Sequence, residues 1–162
     1  MTNRNRLFFS LFVTLLSIVP LAKAASFQDA NDMHEAAGMM ENRIVDARIF
    51  QRECSNRLPQ LNDEIKDHVA TWQRMDATEI RKANYYWSVM ITQHPTDTSQ
   101  INEFMASNAI KTINAASQDG SNGKGLTKFC KLYFVNLASG VWRERTPKMY
   151  QYLLNIPDGP SR

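Results

Sequence analysis

Three histidines, two cysteines and eight methionines hold most of the chemistry open to this chain. A zinc site on helices needs ligands at i and i+4 that converge with others from elsewhere. His34-Glu35 begins such a pattern, but Gly38 stands where H-E-x-x-H requires its second histidine. Glu64 and His68 are four apart and supply two ligands at most, and His94 precedes Pro95 at a helix end. Met33, His34, Met39 and Met40 bring together the soft thioethers and imidazole that suit Cu(I). Met33 and Met40 also fall on an apolar helical stripe, where methionine is ordinary core filler. Met33, His34, Met39, Met40, Glu64 and His68 are therefore weak metal candidates, and no cofactor is implied.

Acid–base and nucleophilic chemistry fare no better. Asp63 and Asp67 could pair as carboxylates. On a helix whose inward residue is Ile65, both point roughly 160° from the core at ~100° per residue. They belong to a wet face beside Lys66, where nothing raises a carboxyl pKa. Cysteine catalysis needs a free thiolate, and Cys54 and Cys130 are expected to be paired. There is no G-x-S-x-G. The loop Gly120-Ser121-Asn122-Gly123-Lys124-Gly125 lacks the phosphate-loop spacing and follows a helix instead of a strand. The expectation is a protein that is not an enzyme.

Aromatics are more informative. Tyr85, Tyr86 and Trp87 are consecutive, and neighbours on a helix diverge by about 100°, so they cannot share one stripe. Trp87 faces inward, Tyr86 flanks it, and Tyr85 lies on a polar face with Arg81 one turn earlier. Tyr, Trp and Arg are the commonest interface anchors. A second cluster, Trp142-Arg143-Glu144-Arg145, sits in a connector and could grip a carboxylate-bearing partner. Tyr85, Arg81, Trp142, Arg143 and Arg145 are thus the partner-binding candidates. The bland reading is a covered tyrosine under a solvated arginine, and a tryptophan plugging one end of the domain.

Residues 1–24 have the three parts of a cleavable signal peptide: Arg4 and Arg6, an apolar run from Leu7 to Leu21, and Ala22-Lys23-Ala24 as cleavage site. The run is short for a membrane span and is interrupted by Pro20. Cleavage leaves 138 of the 162 residues, a usual single-domain size. It also removes Arg4, Arg6 and Lys23 but no acid, so 19 basic against 16 acidic residues becomes parity. A neutral chain lacks the positive footprint that nucleic acid requires. Export to an oxidising compartment makes an even cysteine count read as a Cys54–Cys130 disulfide.

Helical spacing runs through nearly all of the rest. A first helix opens near Asp32, where Asp32 and Glu35 form a capping box. Its inward stripe is Met33, Ala37, Met40, Ile44, Ala47, Phe50 and Cys54, with Gly38 a weak point. Pro59 opens a second segment whose stripe is Leu61, Ile65, Val69, Trp72, Met75, Ile80, Ala83, Trp87 and Met90. The box Asp76-Ala77-Thr78-Glu79 allows a restart within it, so residues 59–93 are one helix or two, ended by Pro95. A third helix spans Ser99 to Ala116, with Ile101, Phe104, Met105, Ala109 and Ile113 inward. The next spans Leu126 to Ser139, with Leu126, Cys130, Tyr133, Phe134 and Leu137 on one side and Gly140 as its cap. The last opens at Thr146-Pro147 and buries Tyr150, Leu153 and Leu154.

The expected fold is all-α, a bundle of four to five helices braced by one disulfide, over residues 25–156, with a flexible tail at 157–162. The expected function is an exported, non-enzymatic interaction module of the bacterial envelope: an inhibitor, immunity factor or chaperone-like binder. Its partner would be another envelope or secreted protein, with no nucleic acid and no membrane span in the mature chain. The alternative is a helical bundle that binds a small ligand or a metal such as copper or zinc.

Overall fold

The computed structural model describes residues 28–119 and 123–158. The signal peptide read over residues 1–24 lies outside them. The described chain is all-α: α1 (Met33–Arg57), a 3-10 turn (Pro59–Leu61), α2 (Asn62–Met75), α3 (Ala77–Gln93), α4 (Pro95–Gln118), α5 (Lys124–Ala138), α6 (Val141–Arg145) and α7 (Pro147–Leu154). That is seven helices among the described residues, where the sequence suggested four or five. The difference is one break and one short connector: residues 59–93 divide at Asp76, and Val141–Arg145 closes into a helix of its own.

α1 is the central helix. It packs chiefly against α3, α4 and α7 and more lightly against α2 and α5. Its buried residues therefore exceed one stripe: Ala36, Ala37, Val45 and Ile49 are buried beside Met40, Ala47, Phe50 and Cys54, and so is Arg43. Met33, expected inward, is exposed, and Ile44 is only half-buried. Asp32 caps the helix by accepting the Glu35 amide at 2.8 Å. Glu35 reaches back to accept the amide of Asn31 at 2.9 Å, one residue beyond the N-cap amide of the usual reciprocal bond. Gly38 causes no break.

Prolines explain two boundary shifts. Pro59 opens a 3-10 turn before α2 rather than α2 itself. Pro95 not only ends α3 but occupies the first turn of α4, which starts four residues before the expected Ser99. A proline there forfeits no hydrogen bond, because first-turn amides have no intrahelical acceptor. Within α4, Met105, Ala109 and Ile113 are buried, whereas Ile101 is 45% and Phe104 66% exposed. Met75 and Leu154, expected inward, are exposed as well.

Two termini are finished by residues from elsewhere. Thr146 precedes α7 but donates its hydroxyl to the Trp142 carbonyl (2.8 Å) instead of capping. Asp29 does the capping, accepting the Lys148 amide at 2.9 Å and the Met149 amide at 3.0 Å. Desolvation pushes the Asp29 carboxyl up, but these amides, that of Ala30 and the Lys148 charge hold it below its ordinary range. Gly140 enters the left-handed region at φ 77°, as expected of a residue ending α5, and there leads directly into α6.

The expected disulfide is present: Cys54 and Cys130 are bonded, with Cα atoms 6.1 Å apart and a sequence separation of 76. α5 packs chiefly on α2 and α4, so the bridge is its main tie to α1. Phe50 stacks edge-on against Phe129 (5.0 Å) and Tyr133 (4.8 Å) along the same seam. No helix among the described residues is long and apolar enough to cross a membrane. Replacing both cysteines by alanine is expected to lower unfolding free energy by about 4 kcal/mol, the chain-entropy value for a loop of this size. Urea titration measures it, and a loss below about 1 kcal/mol contradicts the bracing role.

Candidate functional site

The site begins at the break between α2 and α3. Asp76 interrupts the helix with φ −105° and ψ 21°, and its side chain makes no capping bond. It is 1% exposed and turns inward. One carboxylate oxygen accepts the Trp72 indole N–H (2.9 Å) and the Tyr150 hydroxyl (2.6 Å), and the other accepts from the Arg143 guanidinium (2.8 Å). Arg143 also pairs with the buried Glu79 at 3.0 Å. Burial works against the Arg143 charge, but its bonds to Asp76 and Glu79 outweigh it and raise the guanidinium pKa. Asp76 and Glu79, read from sequence as a capping box, are thus the two acids of a buried ion-pair network. α3 does begin there, but for another reason.

From this network a link runs to the surface. Tyr150, whose hydroxyl donates to Asp76, accepts a hydrogen bond from Arg43 of α1 at 3.1 Å. The Arg43 guanidinium also lies 4.9 Å from the centre of the Trp142 ring, a cation–π distance. Burial raises the Tyr150 pKa well above its ordinary value despite Arg43, so the hydroxyl keeps its proton to donate.

Arg43 and Trp142 line a groove of about 610 Å³ between α1, α4, α5 and α6. α1 adds Gly38, Met39, Asn42 and Asp46, and α4 adds Ile101, Phe104 and Met105. A Cβ built at Gly38 would meet nothing within 4 Å, so the missing side chain is itself part of the open space. The groove surface is mostly apolar, and its polar lining is Asp46, which accepts from Asn42 at 3.2 Å, with Glu35, Arg43, Tyr133 and Thr146. Burial pushes the Asp46 carboxyl from 3.8 up to about 6, against the pull of Arg43 and Asn42. Burial and the Asp46 charge together drive the Tyr133 pKa far above its ordinary value, against Arg43, so it stays neutral.

The candidates read from the sequence fall in separate places. Trp142 and Met39 line the groove. Arg143 is committed to Asp76 and Glu79, and the guanidinium of Arg145 lies 6.0 Å from the Trp142 ring. Tyr85 is half-buried against the core, as are Tyr86 and Trp87, because α3 has α1, α4 and α7 as neighbours. Arg81 pairs with Asp158 at 3.4 Å, in the segment read as a flexible tail. Of the metal candidates, Met40 is fully buried, Met33 is exposed, and His34 is hydrogen-bonded to the Tyr86 hydroxyl. Glu64 and His68 are 3.7 Å apart on the surface of α2. Among the described residues no three His, Cys, Asp or Glu side chains gather as a metal site would require.

Comparison with protein families, with curated proteins and with solved structures found no match. Sequence reading missed Arg43, Asp46 and Phe104. An arginine set between Met40 and Ala47 of the apolar stripe of α1, three residues before an aspartate, was the available signal for the first two.

Asp46 carries a pH signature. Its folded-state pKa lies above its ordinary value, so folding binds a proton between about pH 4 and about pH 6. This contribution makes stability fall as pH rises through that window. Asp46→Asn is expected to stabilise the protein at pH 7.5 and to change little at pH 4. Thermal melts at both values test it, and an equal effect at both would remove the burial argument.

Proposed function

We propose that this is an exported, non-catalytic binding module of the bacterial cell envelope, and that its groove grips an apolar segment of a partner protein. The observation that carries the reading is Phe104, which is 66% exposed at the edge of an apolar groove rather than within the core. Large aromatics with one open face are what interfaces use as anchors. Trp142 lines the same groove from α6, the Arg43 guanidinium over its ring. The disulfide suits an oxidising compartment, and the signal-peptide pattern at residues 1–24 supports export through the inner membrane to the periplasm or beyond. An inhibitor, immunity factor or chaperone-like binder fits this frame.

A small amphiphilic ligand is the second reading. A volume of about 610 Å³ falls in the range of small-molecule pockets, and Asp46 and Arg43 offer a few polar contacts among apolar walls. The six metal candidates give less support, since Met40 is sealed in the core and His34 is engaged by Tyr86.

Gly38→Leu separates the readings from mere instability. It fills open space and replaces a poor helix former with a good one, so the fold should persist. Tagged protein incubated with envelope extract is expected to retain a specific partner. Gly38→Leu and Phe104→Ala should each reduce capture tenfold or more, while Leu154→Ala, exposed but outside the groove, should not. Capture unaffected by both groove variants contradicts the proposal. A small molecule seen by native mass spectrometry and lost in Gly38→Leu, without a protein partner, moves the groove to the second reading.

A further inference from the structure

The charge parity expected once residues 1–24 are removed conceals a local excess. Between Asp119 and Glu144 the sequence contains no acidic residue, and α5 carries Lys124, Lys128 and Lys131. α5 buries Leu126, Cys130, Phe134 and Leu137 toward α2 and α4. At ~100° per residue, the three lysines, Leu132 and Val135 fall within an arc of roughly 100° on the opposite side. All three lysines are exposed, and none is in an ion pair among the described residues. Leu132 is 54% and Val135 43% exposed. Neither is needed by the core, and both sit among cations rather than among other exposed apolar side chains of α5.

We infer that the outer face of α5 docks this protein on an anionic lipid surface. Basic side chains around a small apolar ridge are the composition of helices that lie in a bilayer interface. The lysines answer acidic headgroups, with their stems lying along the surface, and Leu132 and Val135 enter the acyl boundary. A soluble polyanion would use the lysines but leave the two apolar residues facing water. The helix is already folded and held by the disulfide, so docking requires no ordering of the segment. The face is separate from the groove lining, whose one residue from α5, Tyr133, lies on the other side of that helix. Docking would therefore leave the groove open, and this inference stands independently of its occupant.

The test is co-sedimentation of the purified, disulfide-intact protein with vesicles of phosphatidylcholine, alone or mixed with an equal part of phosphatidylglycerol. Binding is expected only to the mixed vesicles and should fall as salt screens the surface potential. Lys128→Gln with Lys131→Gln should lower the partition coefficient about 30-fold, at about fivefold per lysine. Leu132→Ser should lower it further while leaving far-UV circular dichroism unchanged, since its side chain is outside the core. Equal binding to neutral vesicles, or indifference to the lysine changes, overturns the inference. So does binding to a soluble polyanion such as polyglutamate or DNA without binding to the mixed vesicles.

Discussion

A buried carboxylate with three donors is the constraint on which the rest of this structure turns. Asp76 is sealed from water, and an unpaired charge there would cost several kcal/mol. Its donors come from three places: Trp72 on α2, Arg143 on α6 and Tyr150 on α7. The acid is satisfied only when the C-terminal helices lie against the α2–α3 junction. Arg43 extends the requirement to the central helix through Tyr150. Each donor also packs: the Arg143 guanidinium lies 4.3 Å from the Tyr150 ring, so one residue serves the network twice.

The groove is a consequence of this arrangement. α1 reaches α5 through the disulfide and reaches α6 and α7 through Arg43, while α4 packs along another of its sides. Between these ties the side chains do not close. Gly38 leaves its space empty, and Phe104 stands outward instead of filling it. Further along the chain, Lys82 secures the end of α7 by donating to the Leu154 carbonyl at 2.9 Å and to the Ile156 carbonyl. The C-terminal helices are thus anchored at both ends, which holds Trp142 in place at the groove.

How far this could be read beforehand differs residue by residue. Cys54 and Cys130 were placed correctly because pairing and inward helical position agreed independently. The break at Asp76 was visible for a misleading reason. An acid followed three residues later by glutamate looks the same whether it caps a helix or waits for a cation, and the deciding Arg143 lies 67 residues away. Helical spacing at 101, 104 and 105 points Phe104 inward. The buried direction of α4 is instead set by Thr98, Met105, Ala109 and Ile113, which leaves Phe104 roughly 135° away from it. Tyr85 is half-buried because α3 packs against α1, α4 and α7, a property of packing that periodicity within one segment does not contain.

The most direct test of the central claim is the unfolding free energy of Asp76→Ala, measured by urea titration against the parent protein. Removing the carboxylate leaves the buried Trp72 and Tyr150 donors without their acceptor and Arg143 with Glu79 alone, so a loss of about 2–5 kcal/mol is expected from two stranded donors. A loss under about 1 kcal/mol would mean that the C-terminal helices are held by apolar packing alone, and that Asp76 does not organise the fold.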